Sequence, residues 1–431
     1  MKLRTRVALL LALALIASAC TDSTEPTNVP DVATMAMSDL ARAQGSATEA
    51  ELAAAAAALE QLGVDLYGVL ATEENNLVVS PASIMLALAM TYAGAAGSTA
   101  EEMATVLHFD LDDAALHRAF NDLDAILESR SFDGGEDEGV LVATANSLWG
   151  QQGLPFEQAF LDTLAVNYGA GLRLVDYTAA AEQARVAINE WVAAETNDKI
   201  TDLIGAGALD ELTRLVLVNA VYLDATWESQ FDPDSTYDGA FILADGNEVT
   251  VPLMTQTASF PYAVGDGWQA AQLPYMRNEL GMLLIFPDEG RFSEIEGLLP
   301  DGFITDATDG LGTVEVELTL PKFEFRTRAG LNPALRQLGM TAAFDPNTAD
   351  FSKMTAGAQL FISDVIHEAF ISVDEEGTEA AAATAVVVGA TSAPLETVQL
   401  IIDRPFLFAL RDLETGALLF LGRVMDPRSQ S

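Results

Sequence analysis

The chain has 431 residues, half of them hydrophobic, which supplies a full core for one large domain or two or three smaller ones and excludes a disordered chain. Its 21 lysines and arginines face 64 aspartates and glutamates, a net charge of −43, and the lysines are only Lys2, Lys199, Lys322 and Lys353. Nucleic-acid binding, whose affinity comes from clustered cations displacing counterions, is excluded, and a polyanion partner with it. One cysteine and three histidines argue against a disulfide scaffold and against a metal site built from Cys and His; no cofactor is expected.

Lys2, Arg4 and Arg6 precede an apolar run from Val7 to Ala19 that is too short to span a bilayer, the pattern of a secretory signal over residues 1–19. The signal ends Ala17-Ser18-Ala19-Cys20, which resembles a bacterial lipoprotein cleavage site. Cys20 would then carry the lipid and hold the protein at a membrane. Ala17 stands where Leu is more usual, and an ordinary signal-peptide cut nearby is the alternative. The protein is expected to be exported, either lipid-anchored in the cell envelope or extracellular. Residues 20–47, rich in Thr, Ser, Pro and Asp without an apolar period, read as a flexible tether, leaving one domain over 48–431.

Thr48 and Glu51 fit a capping box, followed by an Ala/Leu-rich helix to about Leu70. Ser80-Pro81 opens a second helix, an N-cap serine followed by a first-turn proline, with a stop at Gly94. Thr99 with Glu102 predicts the cap of a third. Leu215 to Leu223 is nearly unbroken apolar sequence with β-branched residues, as in a central strand covered on both faces. Val314 to Leu320 alternates, giving one dry and one wet face, and Asp245-Gly246 and Thr415-Gly416 mark hairpin turns. Helices first and many strands later predict an α+β domain built on large sheets.

At this point several segments resemble the serpin family in order and spacing: Asn75 to Leu107 with its Leu77-Val78-Val79-Ser80-Pro81; Asn189-Glu190-Trp191-Val192; Leu217 to Tyr222 with Trp227 and Phe231; Leu320-Pro321-Lys322-Phe323; Glu375 to Thr384; Arg404-Pro405-Phe406; and Gly422-Arg423-Val424. The resemblance covers Leu52 to Pro427. It implies the serpin fold, with an exposed reactive loop near the C-terminus, and a monomer that traps proteases rather than an enzyme. In serpins a serine or cysteine protease cuts the loop and becomes acyl-linked to it; the freed loop then enters the main sheet as a new strand, carrying the protease across the molecule.

A segment that is loop in one state and central strand in another needs small side chains, no proline and few buried charges. Gly377 to Val388 meets this, with Gly377, Thr378, the four alanines Ala380, Ala381, Ala382 and Ala383, then Thr384 and a run of valines. Gly377 is expected to serve as a pivot with free φ, and Glu379 is the only charge. Alanine alone favours helix, but Val386-Val387-Val388 and Gly377 argue against one.

The resemblance also implies roles position by position. Ser80, Ser83, Asn219 and His367 match the polar cluster that closes the main sheet, His367 being structural and not catalytic. Lys322 matches the cation facing the hinge acid Glu375, and Trp227 the aromatic beneath that opening. The family's spacing from Glu375 places the reactive bond between Thr391 and Ser392. With no Arg or Lys from Gly377 to Asp403, an elastase-like or subtilisin-like target is expected over a trypsin-like one. The loop is a few residues longer than is common, and the acidic stretch Asp110 to Glu138 argues against a heparin-like cofactor. A secreted hydrolase is the weaker class: there is no Gly-x-Ser-x-Gly or His-Glu-x-x-His, and only His108, His117 and His367 to act as base. A non-inhibitory serpin acting as a surface binding protein is the alternative.

Overall fold

Thr48 starts the first long helix by hydrogen bonds in both directions: the Glu51 amide donates to its hydroxyl at 3.3 Å, and the Glu51 carboxylate accepts from its amide at 2.8 Å. The computed structural model describes residues 32–72, 75–135, 138–378 and 397–428. Cys20, Ala380, Ala381, Ala382, Ala383, Thr384 and the Thr391–Ser392 bond lie outside the described residues.

The described helices are α1 (Glu49–Leu70), α2 (Pro81–Tyr92), α3 (Gly97–Val106), α4 (Asp113–Ser129), α5 (Gln158–Tyr168), α6 (Tyr177–Glu195), and the short α7 (Phe292–Glu296), α8 (Phe303–Asp309) and α9 (Asn332–Leu338). The strands are β1 (Thr34–Ala36), β2 (Leu77–Val79), β3 (Phe132–Gly135), β4 (Glu138–Gln151), β5 (Leu172–Val175), β6 (Leu215–Thr226), β7 (Tyr237–Ile242), β8 (Glu248–Gly265), β9 (Trp268–Pro274), β10 (Leu280–Pro287), β11 (Gly312–Pro321), β12 (Phe323–Gly330), β13 (Asp364–Val373), β14 (Gly377–Thr378), β15 (Val398–Ile401), β16 (Phe406–Asp412) and β17 (Leu418–Val424).

They form two sheets. The first runs β1-β5-β4-β6-β14-β13-β12, with β3 paired to β4; the second runs β15-β11-β8-β9-β10-β16-β17-β2, with β7 paired to β8. Helix α2 is buried along most of its length, with Ile84, Met85 and Leu88 fully enclosed behind the first sheet. On the sheet's other face α6 packs Tyr177, Ile188 and Trp191 against Trp149, Val216 and Val218. Strand β6 is therefore covered on both sides, which explains its unbroken apolar sequence.

Two expectations are corrected. Thr99 does not cap α3, which starts after Ala96 without a side-chain cap. The Thr99 hydroxyl instead accepts from the Asp350 amide at 2.9 Å, and Glu102 accepts the amides of Thr341 and Ala342, both at 2.7 Å.

The second correction concerns the tether. From residue 32 onward it is built into the domain as a strap: β1 adds a strand to the outer edge of β5, and the Ala43 amide donates to the Val166 carbonyl of α5 at 2.8 Å. Ser38 donates to Asp162 at 2.6 Å, and the Ser46 amide donates to Asp122 at 2.7 Å. Arg42 reaches Asn121, Asp124 and Glu128 on α4. The physical reason is that the polar segment satisfies its donors on carboxylates and carbonyls supplied by α4 and α5, far along the chain. Burial pushes the Asp124 carboxyl up to about 6, with Glu128 adding to the rise and Arg42 opposing it.

Arg42→Ala removes the only described cation paired with Asp124 and should destabilise the fold by about 1–3 kcal/mol, less than a fully buried pair because Arg42 and Glu128 reach solvent. The shift in urea midpoint at neutral pH checks this.

Candidate functional site

The seam of the first sheet lies between β6 and β13. These strands are parallel and pair directly from Val216 with Asp364 to Tyr222 with Phe370. Above that level they part, and β14 enters antiparallel to both: Thr378 stands between Ala225 on one side and Val373 on the other.

At the centre of the seam Asn219 pairs in register with Asn146 on β4 and His367 on β13, and both Asn219 and His367 are fully buried. The Ser80 amide at the start of α2 donates to His367 Nε2 at 3.2 Å, which leaves the ring proton on Nδ1. Ser83, one turn on, donates its hydroxyl to Asn146 Oδ1 at 2.5 Å, and its amide donates to the Ser80 hydroxyl at 3.3 Å. The structure thus brings Ser80, Ser83, Asn219 and His367 to one place and adds Asn146. Neither the Asn219 amide atoms nor His367 Nδ1 find a hydrogen-bond partner among the described residues. Each such buried group costs about 1–3 kcal/mol.

The top of the seam is a second constellation. Lys322 Nζ meets Glu375 Oε2 at 2.5 Å, and Thr236 donates to Glu375 Oε1 at 2.7 Å. The backbone of Glu375 and Glu376 accepts from the amides of Phe231 and Trp227, at 2.8 and 2.9 Å. Trp227 donates its indole N–H to the Asp374 carbonyl at 3.1 Å and stacks on Tyr275 with ring centroids 4.4 Å apart. The Tyr275 hydroxyl in turn lies 2.6 Å from the buried Thr378 hydroxyl. Burial pushes the Glu375 carboxyl up, but its hydrogen bonds with Lys322 and Thr236 outweigh this and hold it below the ordinary range.

Gly377 is required for a different reason from the one expected. A Cβ there would lie 2.0 Å from the Ala225 carbonyl oxygen, so room between the strands, and not a left-handed φ, selects glycine. Sequence reasoning missed Asn146, Thr236, Asp374 and Tyr275. Asn146 carried a signal, a lone amide inside a strand-like run; Tyr275 carried none.

A family model described as "Serpin (serine protease inhibitor)" matches residues 57–427. The chain belongs to the serpin family. Among its relatives, an uncharacterized serpin-like protein of Thermococcus kodakarensis is 41% identical, the match covering 86% of this chain and 85% of the relative. Leukocyte elastase inhibitor of Homo sapiens is 35% identical, over 85% of this chain and 98% of that protein. Of solved structures, the native state of the thermophilic serpin tengpin aligns with a TM-score of 0.79 at 28% identity, covering 91% of this chain and 99% of tengpin. The architecture is the α+β serpin fold. The strap residues up to 47 precede the stretch matched by the family model.

The buried histidine of this serpin gives a pH dependence. Burial pulls His367 down to about 3 from its ordinary 6.5, so the folded chain holds the ring neutral where the unfolded chain protonates it. Its contribution is unchanged above pH 6.5 and turns against the fold as the pH falls from 6.5 toward 3. Asp124, raised to about 6, has the opposite sign in an overlapping window, so the comparison must be with a variant. Between pH 6.5 and 5, wild type should lose about 2 kcal/mol more than His367→Gln, read from urea midpoints at each pH.

Proposed function

We propose that the protein is an inhibitory serpin, a suicide substrate that traps serine proteases, and some cysteine proteases, by loop cleavage and insertion into the first sheet. The observation that carries this is β14: the hinge already stands two residues inside the seam, with Thr378 buried and bonded to Tyr275. Continued in the register of β14, Thr384 would come opposite Asn219 on β6 and His367 on β13, and Val388 opposite Leu215 at the end of β6. The small-residue stretch from Gly377 to Val388 therefore matches the length of the strand it would pair with.

Alternation gives Thr384 the same face as Thr378, toward the cluster under the sheet. Its hydroxyl, donor and acceptor at once, suits the buried amide and ring nitrogen that lack partners there. Insertion also replaces one parallel pairing by two antiparallel ones and adds a strand's ladder. The reactive bond is proposed between Thr391 and Ser392, just beyond the insertable stretch. The relatives include an elastase inhibitor by name, and a loop without Arg or Lys fits a shallow apolar pocket. We further propose export, attachment through a lipid on Cys20, action as a monomer, and no heparin-like cofactor.

An elastase-like protease should form an SDS-resistant covalent band with the protein, and a trypsin-like one should not. Thr378→Arg places an uncompensated charge in a buried position, so that variant should be cleaved as an ordinary substrate without the band. A Thr378→Arg band equal to wild type would defeat insertion, and no band with any protease would favour the surface-binding reading.

The cleaved form should melt well above the intact one. Thr384→Val should lower the cleaved form's stability by about 1–2 kcal/mol while leaving the intact form unchanged. Calorimetry of both forms checks this.

A further inference from the structure

The strap enters the domain at one particular end. Strand β1 runs antiparallel to β5, with Thr34 opposite Leu174. Leu174 stands opposite Gly150 on β4, and Gly150 opposite Leu215, the first residue of β6. Thr34 therefore lies level with the end of β6 farthest from the hinge, where Thr226 meets Gly377. The length of β6 puts about 36 Å between the two levels. Because β1 runs toward the hinge, Thr34 at its start is the end that faces away from the hinge.

We propose that the strap orients the attached molecule, presenting the reactive loop away from the surface that holds the N-terminus and receiving the captured protease beside the tether. This rests on the insertion mechanism and the attachment through Cys20 proposed above. Continued in the register of β14, an inserted loop reaches the far end at Val388, level with Thr34 and four strand spacings, about 19 Å, to one side. The acyl-linked residue follows within a few positions. The free protein thus offers its bait on the outer side, and capture moves the protease to the inner side.

Eleven residues lie between Cys20 and Val32, so the two are twelve steps apart, about 40 Å when fully extended and about 19 Å as a relaxed coil. A protease of some 250 residues is roughly 45 Å across. On a lipid surface the captured enzyme is therefore held against the bilayer, with less room than its own diameter even when the linker is fully stretched.

The test uses the processed chain, residues 20–431, with Cys20→Ser, so that an introduced cysteine is the only one. A donor dye is placed at Asn28→Cys in the linker or, separately, at Leu212→Cys, a residue 65% exposed just before β6. An elastase-like protease carries the acceptor. Its alanine variant at the nucleophile docks on the loop without acylation and gives the starting distance, roughly 60 Å to the far end; the covalent complex should bring both donors to roughly 30 Å, a several-fold rise in energy transfer. A covalent band with a rise from the Leu212→Cys donor but none from the Asn28→Cys donor would overturn the proposal and leave the inhibitory function standing. A band with no rise at either donor would overturn insertion and this proposal together, and no band at all would remove the inhibitory function on which both rest.

Discussion

Two parallel strands, β6 and β13, meet over seven residue pairs beside a buried asparagine amide that has no partner among the described residues, and the rest of the fold is arranged around that seam. Parallel pairing is the weaker of the two ladder types, and here it encloses polar atoms that a well-packed core would pair or exclude. In the insertion mechanism proposed above, a third strand separates the two and supplies the missing partners. The top of the seam is where that strand's entry is controlled. Lys322, Thr236 and the amides of Trp227 and Phe231 fix the turn at Glu375, so the chain enters two residues deep and is held there.

The constraint also sets which residues fit at each level. Between β6 and β13 at the top there is no space for a Cβ at position 377, whereas one residue further a hydroxyl is wanted by Tyr275. At mid-height the requirement is for hydrogen-bonding groups, met only in part from below by Ser80 and Ser83 at the N-terminus of α2. That helix is buried nearly all round, so its first turn is a rigid floor under the seam.

Much of this was legible in the sequence because it is written locally. The capping box at Thr48, the serine and proline that open α2, the apolar run of β6 and the small residues after Gly377 each report on their own neighbourhood, and family resemblance linked Lys322 to Glu375. What could not be read is written across the chain. The strap looks like any polar linker because the groups that hold it, Asp122, Asp124, Glu128 and Asp162, lie some 75 to 125 positions away. Thr99 and Glu102 have the local spacing of a cap, but distant backbone amides at Asp350, Thr341 and Ala342 compete for them and win. Tyr275 is an ordinary aromatic until the bridge between its own backbone and Trp227 sets the two rings face to face.

The order of the second sheet has a consequence for how the chain folds. Strands β16 and β17 stand inside it, between β10 and β2, and Val79 of β2 waits for Leu421. Strand β2 therefore has no neighbour in this sheet, and β10 has an open edge, until β16 and β17 from far along the chain have come in between them. Contacts of such long sequence separation are slow to form, because the loop that joins them must be closed before the pairing repays it. The sheet is thus closed last by the strands that lie between its earliest member and the rest.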